Sequence, residues 1–173
     1  MNQYEQFDVV VIGGGASGMM AAITAAMHGK SVVILEKNAS LGQKLDITGG
    51  GRCNITNAEF DIRKFLKNYG DAEPFLHSPF SKFSTKDTFE FFESRGLPLV
   101  VQARNRVFPK TEKATDVGNL LKHEIKKLKI NVMTKCSVKH ILQDREMITG
   151  VQTTHGIIKG SSYVLATGGM SHP

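Results

Sequence analysis

The chain has 173 residues and a formal net charge of +6, with 40% hydrophobic and 22% charged residues. That balance suits a packed globular domain and excludes a disordered chain. No apolar stretch reaches the roughly 20 residues of a membrane helix. The N-terminus, Met1-Asn2-Gln3-Tyr4-Glu5, lacks the basic and apolar regions of a signal peptide, so the expected location is the cytoplasm.

In chain order, Phe7-Asp8-Val9-Val10-Val11-Ile12 predicts a buried strand, 16–28 a helix and 31–35 a second buried strand. Both strand runs are β-branched without alternation, as in a parallel sheet covered on both faces. Met19, Met20, Ala22, Ile23 and Ala26 suit a helix packed closely on a sheet, and Gly29 fits its C-terminal cap. The resulting βαβ unit spans 7–36. Residues 37–57 form a long, polar, glycine-rich loop, a length that points to function or disorder. A helical insert over 58–97 follows, with short helices near 60–69 and 74–83. A further helix is capped by Ser84 or Thr85 and stopped by Gly96. The phenylalanines of these helical pieces are expected in the core.

Leu99-Val100-Val101 and Arg106-Val107-Phe108 predict two short strands. A helix and a third parallel strand occupy 114–136. Leu120, Leu121, Ile125 and Leu128 recur there at helical spacing among lysines. The basic excess is therefore expected on the solvated face of an amphipathic helix rather than on a nucleic-acid surface. A small antiparallel meander is expected over 137–160, with strands at 137–142, 147–153 and 157–158. A last strand, Tyr163-Val164-Leu165-Ala166, runs into Thr167-Gly168-Gly169, the two covering 162–169. The fold class is α/β: a Rossmann-like parallel sheet with a βαβ unit plus a small antiparallel β-meander.

The chemistry sits at the glycines. Gly13-Gly14-Gly15-Ala16-Ser17-Gly18 follows the first strand, and Glu36 closes the second. In a dinucleotide site the first glycine allows a tight turn, the second lets backbone approach a pyrophosphate, and the third packs helix on strand. The helix N-terminus offers free N–H groups to phosphate, and the acid accepts from a ribose diol. Glu36 disfavours NADP, since a carboxylate repels a 2′-phosphate. The stretch from Gly42 to Asn57 separates FAD from NAD, because a short NAD domain has no need of it. It holds Gly49, Gly50 and Gly51 for backbone approach, then Thr48, Arg52 and Asn54 as donors, Arg52 being able to counter pyrophosphate charge. Cys53 and Cys136 form no CxxC or Cys/His metal spacing, so neither a disulfide nor a metal site is expected. Cys53 beside Arg52 is a candidate redox thiol, though a small packed residue is the simpler expectation.

Thr-Gly-Gly-Gly-Arg-Cys-Asn-Ile-Thr-Asn at 48–57 resembles the signature of the bacterial aminoacetone oxidase-like flavoproteins, a group of NAD(P)/FAD-dependent oxidoreductases. Arg106-Val107-Phe108-Pro109 with Lys113-Ala114 and Asp116-Val117 is similar to a second block, and 166–173 to a third. Asn105 stands where that family often has glycine, and Asp46 where an apolar or small residue is common. The resemblance implies non-covalent FAD and a larger flavoprotein that continues past Pro173 through an inserted substrate domain, of which this chain would be the truncated N-terminal part. It places Gly13, Gly15, Ala16, Ser17 and Gly18 on the pyrophosphate, and Glu36 on the adenosine ribose with Lys37 adjacent. The Val138 backbone would meet the adenine. Lys44, Thr48, Gly50, Arg52, Cys53 and Asn54 would lie toward the ribityl chain and isoalloxazine, and Ala166, Thr167 and Gly168 on the phosphate side. The implied function is an FAD-dependent oxidoreductase that oxidises a small amine or carbonyl compound and passes electrons to oxygen or NAD(P). No residue stands out as the catalytic base. Two alternatives stand beside it: a non-catalytic nucleotide-binding fragment, and a flavoprotein acting on RNA.

Overall fold

A computed structural model describes residues 6–169. In chain order these form β1 (Gln6–Ile12), α1 (Ala16–Met27), β2 (Val32–Leu35), the four-residue helices α2 (Gln43–Asp46) and α3 (Thr48–Gly51), and β3 (Thr56–Asn57). There follow α4 (Ile62–Leu66), a 3-10 stretch (Lys67–Ala72), α5 (Glu73–Lys82), α6 (Thr85–Glu93), β4 (Leu99–Gln102), β5 (Arg106–Pro109) and α7 (Ala114–Lys127). The order closes with β6 (Asn131–Met133), β7 (Val138–Asp144), β8 (Met147–Thr153) and β9 (Gly156–Leu165). The expected βαβ unit is present. The stretch 37–57, expected as loop, carries two helical turns and a short strand.

The chain forms two compact units: residues 1–45 with 121–173, and residues 46–120. The first unit is built on a sheet of order β6-β2-β1-β9-β8-β7. β6, β2, β1 and β9 are parallel, with Val9 opposite Val32, Val33 opposite Asn131 and Val10 opposite Tyr163. β7, β8 and β9 form the antiparallel meander. The separate strands expected at 157–158 and 163–166 are one strand, which pairs with β8 over 156–158 and with β1 from Lys159 on. Gly160 makes this continuity possible, since a Cβ there would stand 2.6 Å from Val10 Cγ2. Ala166 lies just beyond the strand.

Phe7, Val10, Ile12, Val33 and Leu35 meet Val151 and Ile158 in one buried cluster, with Cys136 among them. Each such side chain contributes about 1.5–3 kcal/mol through burial. α1 packs on β1 and β2 through Gly18, Met19, Ala22 and Ile23, all buried. The second unit has a three-stranded antiparallel sheet, β3-β5-β4, and helices α4 to α6. Its phenylalanines divide, against expectation. Phe65, Phe91 and Phe92 are buried, whereas Phe75 is 79% exposed, Phe60 58% and Phe83 42%. Five-residue α4 and ten-residue α5 have too little surface to bury an aromatic at each turn. Along α7, Val117, Leu121 and Ile125 are buried while Lys126 and Lys127 are exposed, as the amphipathic pattern requires.

Candidate functional site

Gly13 leaves β1 at φ +105°, a conformation that needs glycine. A Cβ on it would stand 2.3 Å from the Ala166 carbonyl oxygen, so the two glycine turns lie in contact at the C-terminal ends of β1 and β9. A Cβ on Gly18 would stand 1.9 Å from the Gly13 carbonyl oxygen, so the first turn of α1 rests on the backbone leaving β1. Gly15 is the N-cap of α1, with no side chain capping the helix and open space where its Cβ would be. Ala16 and Ser17 are exposed beside it. The first N–H groups of a helix have no intrahelical acceptor, and here no side chain replaces one. That leaves donors, a positive dipole end and room: what a phosphate group requires.

Glu36 is buried at the end of β2. Its Oε2 accepts from the Gly14 N–H at 2.7 Å and its Oε1 from the Asn38 N–H at 2.8 Å. The carboxylate is thus locked against the glycine turn, and each oxygen keeps a second acceptor position. Its backbone is held from the other side, where the Glu36 N–H donates to Met133 O at 2.9 Å and Cys136 N–H donates to Glu36 O at 2.8 Å. Val138 follows two residues on. Its side chain packs on the buried cluster, and it stands opposite Thr153 in the β7–β8 pair. Lys37 is exposed. Lys44 reaches the second glycine turn, its Nζ donating to the Gly169 carbonyl at 2.9 Å. Sequence reasoning missed Leu41 and gave Gly42 no contact with the first turn. The Gly42 N–H donates to Gly14 O at 2.9 Å, and a Cβ on Gly14 would strike Leu41 Cδ2 at 2.2 Å, so the loop returns to seal the first turn. Thr167 and Gly168 are exposed past β9, whereas Met170 to Pro173, the end of the third resemblance block, lie outside the described residues.

Thr48, Gly50, Arg52, Cys53 and Asn54 belong to the second unit. Gly49, Gly50 and Gly51 run at φ +56°, +67° and +83°, a left-handed turn that a run of glycines permits. The Arg52 and Cys53 N–H groups both donate to Thr48 O at 3.1 Å. Arg52 donates to Gln102 Oε1 at 2.5 Å and pairs with Glu112 at 3.3 Å, its guanidinium 4.4 Å over the Phe108 ring. Its charge, expected to offset a pyrophosphate, is balanced by Glu112 within its own unit. Cys53 is buried, and burial pushes its thiol above the usual 9.0 against an opposing Thr48 hydrogen bond. A protonated, buried thiol is a packed residue and not a nucleophile. Asn54 Oδ1 accepts from the Val107 N–H at 3.1 Å, fastening the motif to β5. Asn105 adopts φ +55°, which asparagine tolerates, so the turn keeps the geometry of a glycine position. Among the described residues no cluster of His, Cys, Asp and Glu could hold a metal, and no helix is long and apolar enough to cross a membrane.

An open helix mouth, a backbone too close for side chains and an acid on the adjoining strand together fit a diphosphate joined to a ribose. The protein class so defined is the Rossmann-type FAD-binding domain. The HI0933-like protein Rossmann domain matches residues 7–173, and the chain belongs to that family. It is 35% identical over 131 residues to the 3-dehydro-bile acid delta(4,6)-reductase of Clostridium scindens, covering 75% of this chain and 31% of that protein. It is 26% identical over 170 residues to the ribosomal RNA dihydrouridine synthase of Escherichia coli, covering 98% and 41%. The fold matches the 3-ketosteroid-delta4-(5alpha)-dehydrogenase of Rhodococcus jostii RHA1 at a TM-score of 0.74 and 18% identity, over 97% of this chain and 47% of that one. The chain thus spans less than half the length of each of these three proteins.

Proposed function

We propose that this chain is the FAD-binding portion of a cytoplasmic oxidoreductase that adds or removes hydrogen across a carbon–carbon bond beside a carbonyl. The observation that carries it is the uncapped mouth of α1 set against the locked Glu36 carboxylate. Both sequence relatives are named for reactions at carbon–carbon bonds, one a delta(4,6)-reductase and the other the maker of a saturated pyrimidine. Of the two expected substrate classes, amine and carbonyl, this favours the second. Oxygen or NAD(P)(H) is the proposed electron partner. Two free, buried cysteines fit a reducing compartment.

FAD, when bound, supplies the two-electron chemistry. The chain's own residues hold and orient it. The Ala16 and Ser17 N–H groups take the diphosphate, Gly15 gives it access, and the free lone pairs of Glu36 take the ribose hydroxyls. Lys44 holds the second glycine turn in place. Incubating the purified chain with FAD and removing the excess tests this. The expected result is a retained flavin absorption band. Gly15→Glu abolishes it, by filling the open space with a charge that repels phosphate. Glu36→Arg weakens binding at least tenfold. Retention of FAD by Gly15→Glu at unchanged affinity overturns the site.

A second reading has its own support: the match to the ribosomal RNA dihydrouridine synthase runs over almost the whole chain. An RNA substrate predicts salt-dependent binding of a ribosomal RNA fragment, because phosphate contacts release counterions. No binding at low salt removes it.

A further inference from the structure

The second unit contains a cleft of about 680 Å³, of whose lining only Asn54 was expected toward the cofactor. Its size lies within the roughly 300–1,000 Å³ of small-molecule sites. The wall is aromatic. Phe65 and Phe80 pack with ring centroids 4.9 Å apart, and Tyr69 stands 5.6 Å from Phe65 and 6.0 Å from Phe80. Phe83 and Pro79 extend that wall. The rest of the lining is Ile55 and uncharged polar residues, with no carboxylate, ammonium, guanidinium or imidazole.

Two side-chain amides there keep unused capacity. Asn54 Oδ1 accepts from the Val107 N–H, while its amide N–H groups donate to nothing among the described residues. The Asn68 amide donates to the Lys64 and Phe65 carbonyls at 3.2 and 3.0 Å, which leaves its Oδ1 open. Asn57 is engaged at both ends of its amide, donating to Arg104 O and accepting from the Glu59 N–H, and keeps one N–H and one lone pair.

We infer that this cleft is the substrate subsite, and that it takes an uncharged ring compound bearing a carbonyl. The inference rests on the oxidoreductase reading for the word substrate. The rings of Phe65, Tyr69 and Phe80 offer faces and edges to a flat apolar skeleton. The Asn54 amide donates to the carbonyl, and Asn68 accepts from a hydroxyl or N–H on the same compound. A zwitterionic amino acid is disfavoured, because the lining offers its charged ends no countercharge. The cleft also begins at Asn54, directly after the glycine-rich stretch expected toward the reactive end of the cofactor.

The test is amide NMR on the isotope-labelled full chain without FAD, titrated with cyclohex-2-enone and 4-androstene-3,17-dione. The Asn54 and Asn68 side-chain amides shift, and glycine and L-proline leave them unmoved. Phe80→Ala and the milder Phe83→Ala each raise the enone Kd at least tenfold while signals from the first unit stay in place. Unmoved asparagine signals at saturating enone overturn the inference. So do equal shifts with glycine or L-proline, wild-type affinity in both variants, or shifts of these signals by riboflavin, which assigns the cleft to the flavin ring. FAD binding is measured separately in the absence of enone, so either proposal can fail alone.

Discussion

At the scale of single residues, the glycines of the first turn are unequal, and their differences are measurable. A Cβ on Gly18 meets a backbone oxygen at 1.9 Å, and backbone cannot swing aside as a side chain can. Gly18→Ala should therefore destabilise the fold by about 3 kcal/mol, the upper range for forced overpacking. Gly15→Ala meets nothing within 4 Å and should cost under about 1 kcal/mol, the loss of a favourable N-cap residue. Urea midpoints of the two variants at unchanged slope check this. Equal midpoints would contradict the close approach of α1 to β1. Glu36 carries a similar argument. In Glu36→Gln an amide N–H group must face either the Gly14 or the Asn38 N–H, and the clash of donors should cost about 1–3 kcal/mol even without ligand. The place of the acid at the end of the second strand was legible in the sequence. Its two backbone bonds were not, because they depend on how the turn folds back, which spacing does not encode.

At the scale of elements, strong local signals and weak ones part company. The Ser84 cap was legible because Ser and Asp three apart satisfy each other without help from distant chain. The Ser84 hydroxyl accepts from the Asp87 N–H at 3.4 Å, and the Ser84 N–H donates to Asp87 Oδ2 at 2.7 Å. Hydrogen bonds from the Ser84 hydroxyl, and then its N–H, hold the Asp87 carboxyl below the usual 3.8. A lowered folded pKa stabilises above the unfolded value and loses that effect as pH falls through the folded one. Ser84→Ala should then cost about 1 kcal/mol at neutral pH. It should also flatten the decline in stability below the usual carboxylate range, which thermal unfolding across that range would show. A variant with the parent's acid profile would mean the box does not form. The continuity of β9 had no such local signal. Ser161 and Ser162 interrupt the apolar pattern, and only pairing with β8 and then β1 carries the strand through them. Likewise, α3 depends on left-handed glycines, whose conformation composition permits without specifying.

At the scale of the whole molecule, the parallel sheet was legible and the division into two units was not. Strands alternating with a helix announce the sheet. The second unit runs from the end of α2 into the first half of α7, through short elements that no periodicity marks as separate. Each unit holds one buried, free cysteine, Cys53 in the second and Cys136 in the first, so thiol labelling can follow each unit separately. Cys136 suits the cofactor question, because its N–H bonds to Glu36 O at 2.8 Å and its labelling requires that segment to open. A ligand that binds only the closed form suppresses opening in proportion to its excess over Kd, about a hundredfold and 2.7 kcal/mol at a hundred times Kd. In a Cys53→Ala background, FAD at that excess should slow Cys136 labelling about a hundredfold. Adding Gly15→Glu should abolish the protection, because the diphosphate can no longer reach the mouth of α1. Were FAD retained while Cys136 labelled at its unprotected rate, the ribose would have to lie elsewhere than on Glu36.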